Sequence, residues 1–226
     1  MTLQGTCVAA RVLSKQGRDG CGRCGAKLEV GLVDLRRRIH EEPELGLDTP
    51  ATRKKILDDL ADLDLEIDLH KKTSGIVATL RGARPGRSIL LRGDMDALPM
   101  PEETGLPFAS RHENRMHACG HDAHVSMLAG AARILAGARD TLAGDVVFMF
   151  QPGEECYGGA EVMLEEGMPE TDGAFDPATA EFSDGAVYDF PRSSATCDVQ
   201  YCNIEGIEWV DDGGADEDAP RTLVGV

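Results

Sequence analysis

At 226 residues with 42% hydrophobic side chains, the chain is long enough to bury a core in one domain, with at most a small appendage. Its formal charge of -17 argues against a nucleic-acid surface, which needs clustered Lys and Arg. No apolar run approaches the roughly eighteen residues of a membrane span, so no membrane partner is expected. The charge is uneven: between Met168 and Val226 fourteen acidic residues face only Arg192 and Arg221, which places -12 of the total in the last quarter. Early residues such as Arg11, Lys15, Arg18, Asp19 and Arg23 leave no apolar signal-peptide centre, so a cytoplasmic location is expected. Seven cysteines without regular spacing read as reduced thiols.

Residues 1–28 carry Gly5, Gly17, Gly20, Gly22, Gly25 and the pair Cys21 and Cys24, with no sustained periodicity. They read as a glycine-rich, disordered extension. From residue 28 onward Val30, Leu32, Val33, Leu35 and Ile39 recur at helical spacing, with Arg36, Arg37 and Arg38 on the wet side and Pro43 as the stop. Thr49 and Pro50 open a second helix whose apolar stripe is Ile56, Leu57, Leu60 and Leu63. Residues 65–69 alternate, 75–80 are short and β-branched, and 88–91 form an apolar run before Arg92, Gly93 and Asp94, so three strands are expected.

A proline-rich loop over 98–107 precedes the strongest helix signal, residues 121–138, with Met127, Leu128, Ala131, Ala132 and Leu135 expected to face inward. Residues 146–150 read as a buried strand and 161–166 as a short helix. Helices alternating with strands predict an α/β fold: a central mixed, largely parallel sheet with helices on both faces. The folded α/β domain is expected over 29–173. Residues 174–226 read as an acidic, poorly structured tail.

Polar groups gather where these elements end. Asp94 and Asp96 follow one strand, Cys119 and His121 open a helix, and Glu154 and Glu155 follow another strand. In open α/β sheets such ends form the ligand cleft. Thiolate, imidazole and carboxylate are the side chains that bind zinc-like ions, and a carboxylate beside a ligand is what water activation needs. Each feature alone has a bland explanation. Cys119 could be a small buried cysteine, Glu154 and Glu155 the acidic start of a helix, and Asp94 and Asp96 turn residues.

The order of four motifs reverses that judgement. Residues 34–46 (DLRRRIHEEPELG), 92–99 (RGDMDALP), 116–124 (MHACGHDAH) and 151–155 (QPGEE) resemble the metal-dependent amidohydrolase and aminoacylase family, which includes hippurate hydrolases, N-acyl-amino-acid deacylases and indole-acetyl-amino-acid hydrolases. The resemblance covers about residues 28–167. It implies a zinc-exopeptidase-like catalytic domain that hydrolyses an amide bond in N-acyl amino acids or small peptides. It implies Cys119, His121 and Glu155 as metal ligands and Glu154 as the general base that takes a proton from the attacking water and passes it to the leaving amine. Asp96 is implied as the carboxylate that orients the metal site. One or two divalent ions are expected, with manganese, zinc, cobalt and nickel all suited to mixed N, O and S donors.

Other candidates stay in supporting roles. His124 reads as a supporting or core residue one helical turn from His121, His117 as a support for the site, and His40 and His112 as surface residues. Cys156 has no His and Asn beside it that would make it a nucleophile. The resemblance also implies two later histidines and a smaller lid domain. Here no histidine follows His124, and the stretch 184–191 (DGAVYDFP) offers no imidazole. The chain therefore reads as a truncated member lacking the lid, with a non-catalytic remnant acting through its acidic tail as the alternative. The oligomeric state is open.

Overall fold

The computed structural model describes residues 18–176 and 181–184, with side chains over 28–172. In chain order the elements are α1 (Arg18–His40), α2 (Pro50–Leu60), β1 (Glu66–Leu69), β2 (Ile76–Leu80), β3 (Ile89–Asp94), α3 (His121–Gly137), β4 (Val146–Gln151), α4 (Gly159–Glu166), β5 (Gly173–Asp176) and β6 (Glu181–Asp184). The strands form one sheet in the order β1-β2-β4-β3-β5-β6.

The sheet is mixed, as the alternation of helices and strands predicts. Parallel pairing is confined to its centre, where β3 lies parallel to β4 and β5, while the β1/β2, β2/β4 and β5/β6 pairings are antiparallel. The expectation of a largely parallel sheet is thus corrected. At both edges the paired strands, β1 with β2 and β5 with β6, lie too close in sequence for a crossover and so can only be antiparallel, whereas β3 and β4 are joined through α3 and run the same way.

Alternating side chains send β2 and β4 into two cores. Ile76, Ala78, Leu80, Phe148 and Phe150 pack with Leu35 and Ile39 of α1, Ile56 and Leu60 of α2, and Val125, Leu128, Ala129 and Ala132 of α3. On the opposite face Val77, Leu90, Val147 and Met149 pack with Met163 of α4. Each such large side chain, fully withdrawn from water, contributes about 1.5–3 kcal/mol. Both faces are covered, which is why β2 and β4 read as continuous apolar runs.

Several sequence expectations need correction. α1 begins at Arg18, so helix reaches into the stretch read as loop from its glycines. Glycine weakens a helix by only about 1 kcal/mol per residue relative to alanine, and the packed face downstream carries the element. Val30 and Val33 point outward at 72% and 40% exposure, while Leu35 and Ile39 are fully buried. On α3 the buried stripe is Val125, Leu128, Ala129 and Ala132, and Met127 is exposed. β1 lies at the sheet edge with no buried face. Thr49 is the N-cap of α2, but its side chain makes no capping bond. Instead the Glu44 carboxylate accepts the Ala51 and Thr52 N–H groups at 3.1 and 2.7 Å. β5 and β6 extend the sheet into the region read as an acidic tail beginning at 174. Residues 1–17, 177–180 and 185–226, on which the rest of the expected extension and tail fall, lie outside the described residues. Among the described residues no helix is long and apolar enough to cross a membrane.

Candidate metal centre

The register of the sheet assembles the site. Asp94 at the end of β3 pairs with Gln151 at the end of β4, and the strands are parallel, so both chains leave the sheet side by side. One delivers Met95 and Asp96, the other Pro152 to Glu155. Met95 N–H donates to the Gln151 carbonyl at 2.9 Å and holds the two exits together. α3 brings His121 as its first residue, after Gly120 at φ +81°. The Glu154 loop turns on Gly153 at φ +71°, a conformation that disfavours a side chain, and a Cβ there would meet Leu47 Cδ2 at 2.5 Å.

Asp96, 1% exposed, organises the centre. Its carboxylate accepts the backbone N–H of Glu154 at 3.0 Å and of Glu155 at 3.1 Å. Its backbone carbonyl accepts a hydrogen bond from His121 Nδ1 at 2.8 Å. That bond fixes the imidazole with Nε2 toward the acidic groups, 3.5 Å from Asp94 Oδ1, 3.7 Å from Glu154 Oε2 and 3.8 Å from Glu155 Oε1. Donor atoms of Cys119, His121 and Glu155 all lie within 4.8 Å of one another. The structure therefore brings together all five residues singled out from the sequence: Cys119, His121, Glu155, Glu154 and Asp96.

Electrostatics explain what the arrangement favours. Burial opposes charging His121, but the hydrogen bond with Asp96 and the fields of Asp94, Asp96 and Glu155 outweigh it and push its pKa up to about 9. Burial lifts Glu154 above the usual carboxylate range, with the neighbouring charges of Asp94 and Glu155 adding to it and His121 opposing. Asp94 resists burial and falls to about 2 because His124 bonds to it and His121 and Arg92 lie close. So much negative charge with so little water calls for positive charge at His121 Nε2, supplied by a proton or by a cation.

Two supporting networks were not legible from the sequence. Arg92 Nε donates to Gln151 Oε1 at 2.8 Å and its Nη1 to Asp94 Oδ2 at 2.7 Å, while Asp94 Oδ1 lies 2.6 Å from His124 Nδ1. The second corrects the surface reading of His40, which is buried: Nδ1 lies 2.8 Å from Asp122 Oδ2 and Nε2 3.2 Å from Glu102 Oε1. Asp122 also accepts Arg36 Nε at 3.0 Å. This ties the residue beside His121 to the end of α1. The DLRRRIHEEPELG stretch signalled His40, but only the tertiary fold shows its partner. His117 is buried, and burial lowers its pKa to about 4. His112 is exposed as expected. Cys119 retains its thiol, whereas Cys156, expected to be reduced, is disulfide-bonded at an exposed position in the turn after Glu155.

Comparison with known proteins converges on one group. The chain is 44% identical over 138 residues to the N-acetylcysteine deacetylase of Bacillus subtilis, covering 61% of this chain and 36% of the relative. It is 42% identical over 134 residues to the hippurate hydrolase of Campylobacter jejuni, covering 59% of this chain and 34% of the relative. Among solved structures, a dinuclear metal-binding peptidase from Bacillus subtilis superposes with a TM-score of 0.64 at 40% identity, covering 67% of this chain and 43% of that one. The chain thus spans little more than a third of the length of the curated relatives it matches. The sequence pattern of Peptidase family M20/M25/M40 matches residues 90–210, which carries the likeness well past residue 167, where the motif resemblance stops. With 121 of 226 residues inside that pattern, the chain belongs to Peptidase family M20/M25/M40.

Proposed function

We propose that the chain carries the metal-holding part of a hydrolase that cleaves the amide bond of N-acyl amino acids or small peptides. Cys119, His121 and Glu155 are its metal ligands, Glu154 is its general base, and Asp96 orients the centre. The observation that carries this reading is the meeting of thiol, imidazole and carboxylate donors within 4.8 Å, beside a second glutamate that has a raised pKa. The donor set fits a divalent ion because His121 presents Nε2 while its Nδ1 is engaged by the Asp96 carbonyl, the usual way a ligating imidazole is held. Mixed S, N and O donors suit zinc, cobalt, nickel or manganese, with one or two ions per chain. Relatives named for deacetylation of N-acetylcysteine, hydrolysis of hippurate and hydrolysis of N-acyl-L-amino acids support the substrate class.

When bound, a divalent ion supplies Lewis acidity that polarises the scissile carbonyl and makes water acidic enough to ionise near pH 7. The chain's own residues do the rest. Glu154, lifted by burial yet still partly open to solvent, accepts the proton from the attacking water and delivers it to the departing amine nitrogen. Asp96 fixes the backbone of both glutamates, so that Glu155 would hold the ion while Glu154 stays free to exchange protons. The test is release of glycine from hippurate by the chain dialysed against Co2+ or Mn2+, compared with Glu154→Gln. The expected result is a rate loss on the order of a hundredfold or more with metal content unchanged. Equal rates would refute the base assignment. A metal-loaded chain inert toward every N-acyl amino acid would favour the non-catalytic remnant.

A further inference from the structure

His121 belongs to two groups of ligand-type atoms at once. Besides Cys119 and Glu155, it lies with Asp94 and His124, whose donor atoms are likewise all within 4.8 Å of one another. His124 sits one turn along α3, and its ring stacks beside that of His121 at 5.6 Å between centroids and 29° between planes. Asp94 Oδ1 stands 3.5 Å from His121 Nε2 and 2.6 Å from His124 Nδ1. The Asp94 carboxylate is held from behind by Arg92. Because His121 Nδ1 is engaged by the Asp96 carbonyl, only Nε2 is available, and one nitrogen serves one ion at a time.

We propose that His121 is the shared ligand of two alternative cation positions. One includes the Cys119 thiolate and Glu155; the other is a harder two-imidazole, one-carboxylate position formed by Asp94, His121 and His124. The inference deepens the proposed function and rests on its assignment of Cys119, His121 and Glu155. Thiolate favours Zn2+ or Co2+, whereas two imidazoles and a carboxylate suit Mn2+ or Fe2+. Binding at the second position replaces the hydrogen bridging His124 and Asp94 with the ion, and the ring proton passes through solvent from Nδ1 to Nε2, so that His124 ligates as neutral imidazole. The Asp94–His124 gap must widen by roughly half an ångström to take an ion with bonds of about 2.1 Å. The Arg92 charge beside Asp94 makes this position the weaker one for a dication.

The experiment titrates the full chain with Mn2+, followed by electron paramagnetic resonance, and with Co2+, followed by thiolate-to-cobalt absorption. Cys119→Ser is expected to abolish the cobalt thiolate band and to leave Mn2+ affinity within about threefold. His124→Ala and Asp94→Asn are expected to keep the cobalt band and to weaken Mn2+ by about tenfold or more. His121→Ala is expected to lose both. His124→Gln, closer in volume, replaces His124→Ala if far-UV circular dichroism shows the latter misfolded. Loss of Mn2+ in Cys119→Ser with no change in the His124 variants would leave a single position and overturn the proposal. A wild-type chain that binds Co2+ with no thiolate band would instead overturn the ligand set of the proposed function.

Discussion

Replacing Asp96 with alanine removes the carboxylate that pins both glutamates. Asp96 is 1% exposed and accepts the Glu154 and Glu155 N–H groups at 3.0 and 3.1 Å. A hydrogen bond to a charged group contributes about 1.5–3 kcal/mol, and a buried donor left unsatisfied costs about as much. The loss is partly offset, because removing one of four crowded carboxylates relieves repulsion from Asp94 and Glu155. We expect a net destabilisation of about 3 kcal/mol in urea unfolding of the metal-free chain. Asp96→Asn, which keeps one acceptor oxygen, should lose about half of that. Divalent metal affinity should fall by about 10- to 100-fold in the alanine variant, because the Glu155 backbone is no longer fixed. An unfolding free energy within about 0.5 kcal/mol of wild type, with metal affinity changed less than about twofold, would show that Asp96 does not hold the two glutamates.

Gly153→Ala places a side chain at φ +71° against Leu47 and should destabilise the chain by about 1–2 kcal/mol in thermal or urea unfolding. It should also slow any hydrolysis, because Glu154 follows directly. Phe148→Ala, in the fully buried core between β4 and the three helices, should lose about 3–5 kcal/mol in the same assay. His40 has its pKa raised above 6.5 chiefly by its hydrogen bond with Asp122, with burial opposing and Glu102 helping. The stability it contributes is therefore full below 6.5 and fades as pH rises through the higher folded value. The stability gap between wild type and His40→Gln should be wide near about pH 5.5 and narrow by about pH 9. A gap that widens with pH would contradict the pairing with Asp122 and Glu102.

The sequence shows the fold where periodicity and burial agree. β2, β4 and α3 emerge within about two residues of their observed limits because both faces of the sheet are covered and the apolar runs are unbroken. It misleads where local signals compete with tertiary ones. The glycines of α1 hide a helix held by its packed downstream face, and Thr49 looks like a working cap while Glu44, five residues earlier, does the capping. The site residues are legible because motif spacing survives in one dimension. Their wiring is not, since Asp96 with Glu155 and His40 with Asp122 are joined across 59 and 82 residues of chain. Strand register and helix packing, which no local window contains, make those contacts.

On the proposed function, Cys119, His121 and Glu155 hold a divalent ion. Mass-spectrometric metal content per chain, after loading with Co2+ and exhaustive dialysis, tests it most directly. Each wild-type chain should retain at least about one ion, and Glu155→Gln should lose most of it with the fold intact by circular dichroism. A wild-type chain that retains no metal, or a Glu155→Gln variant that retains as much, would contradict it.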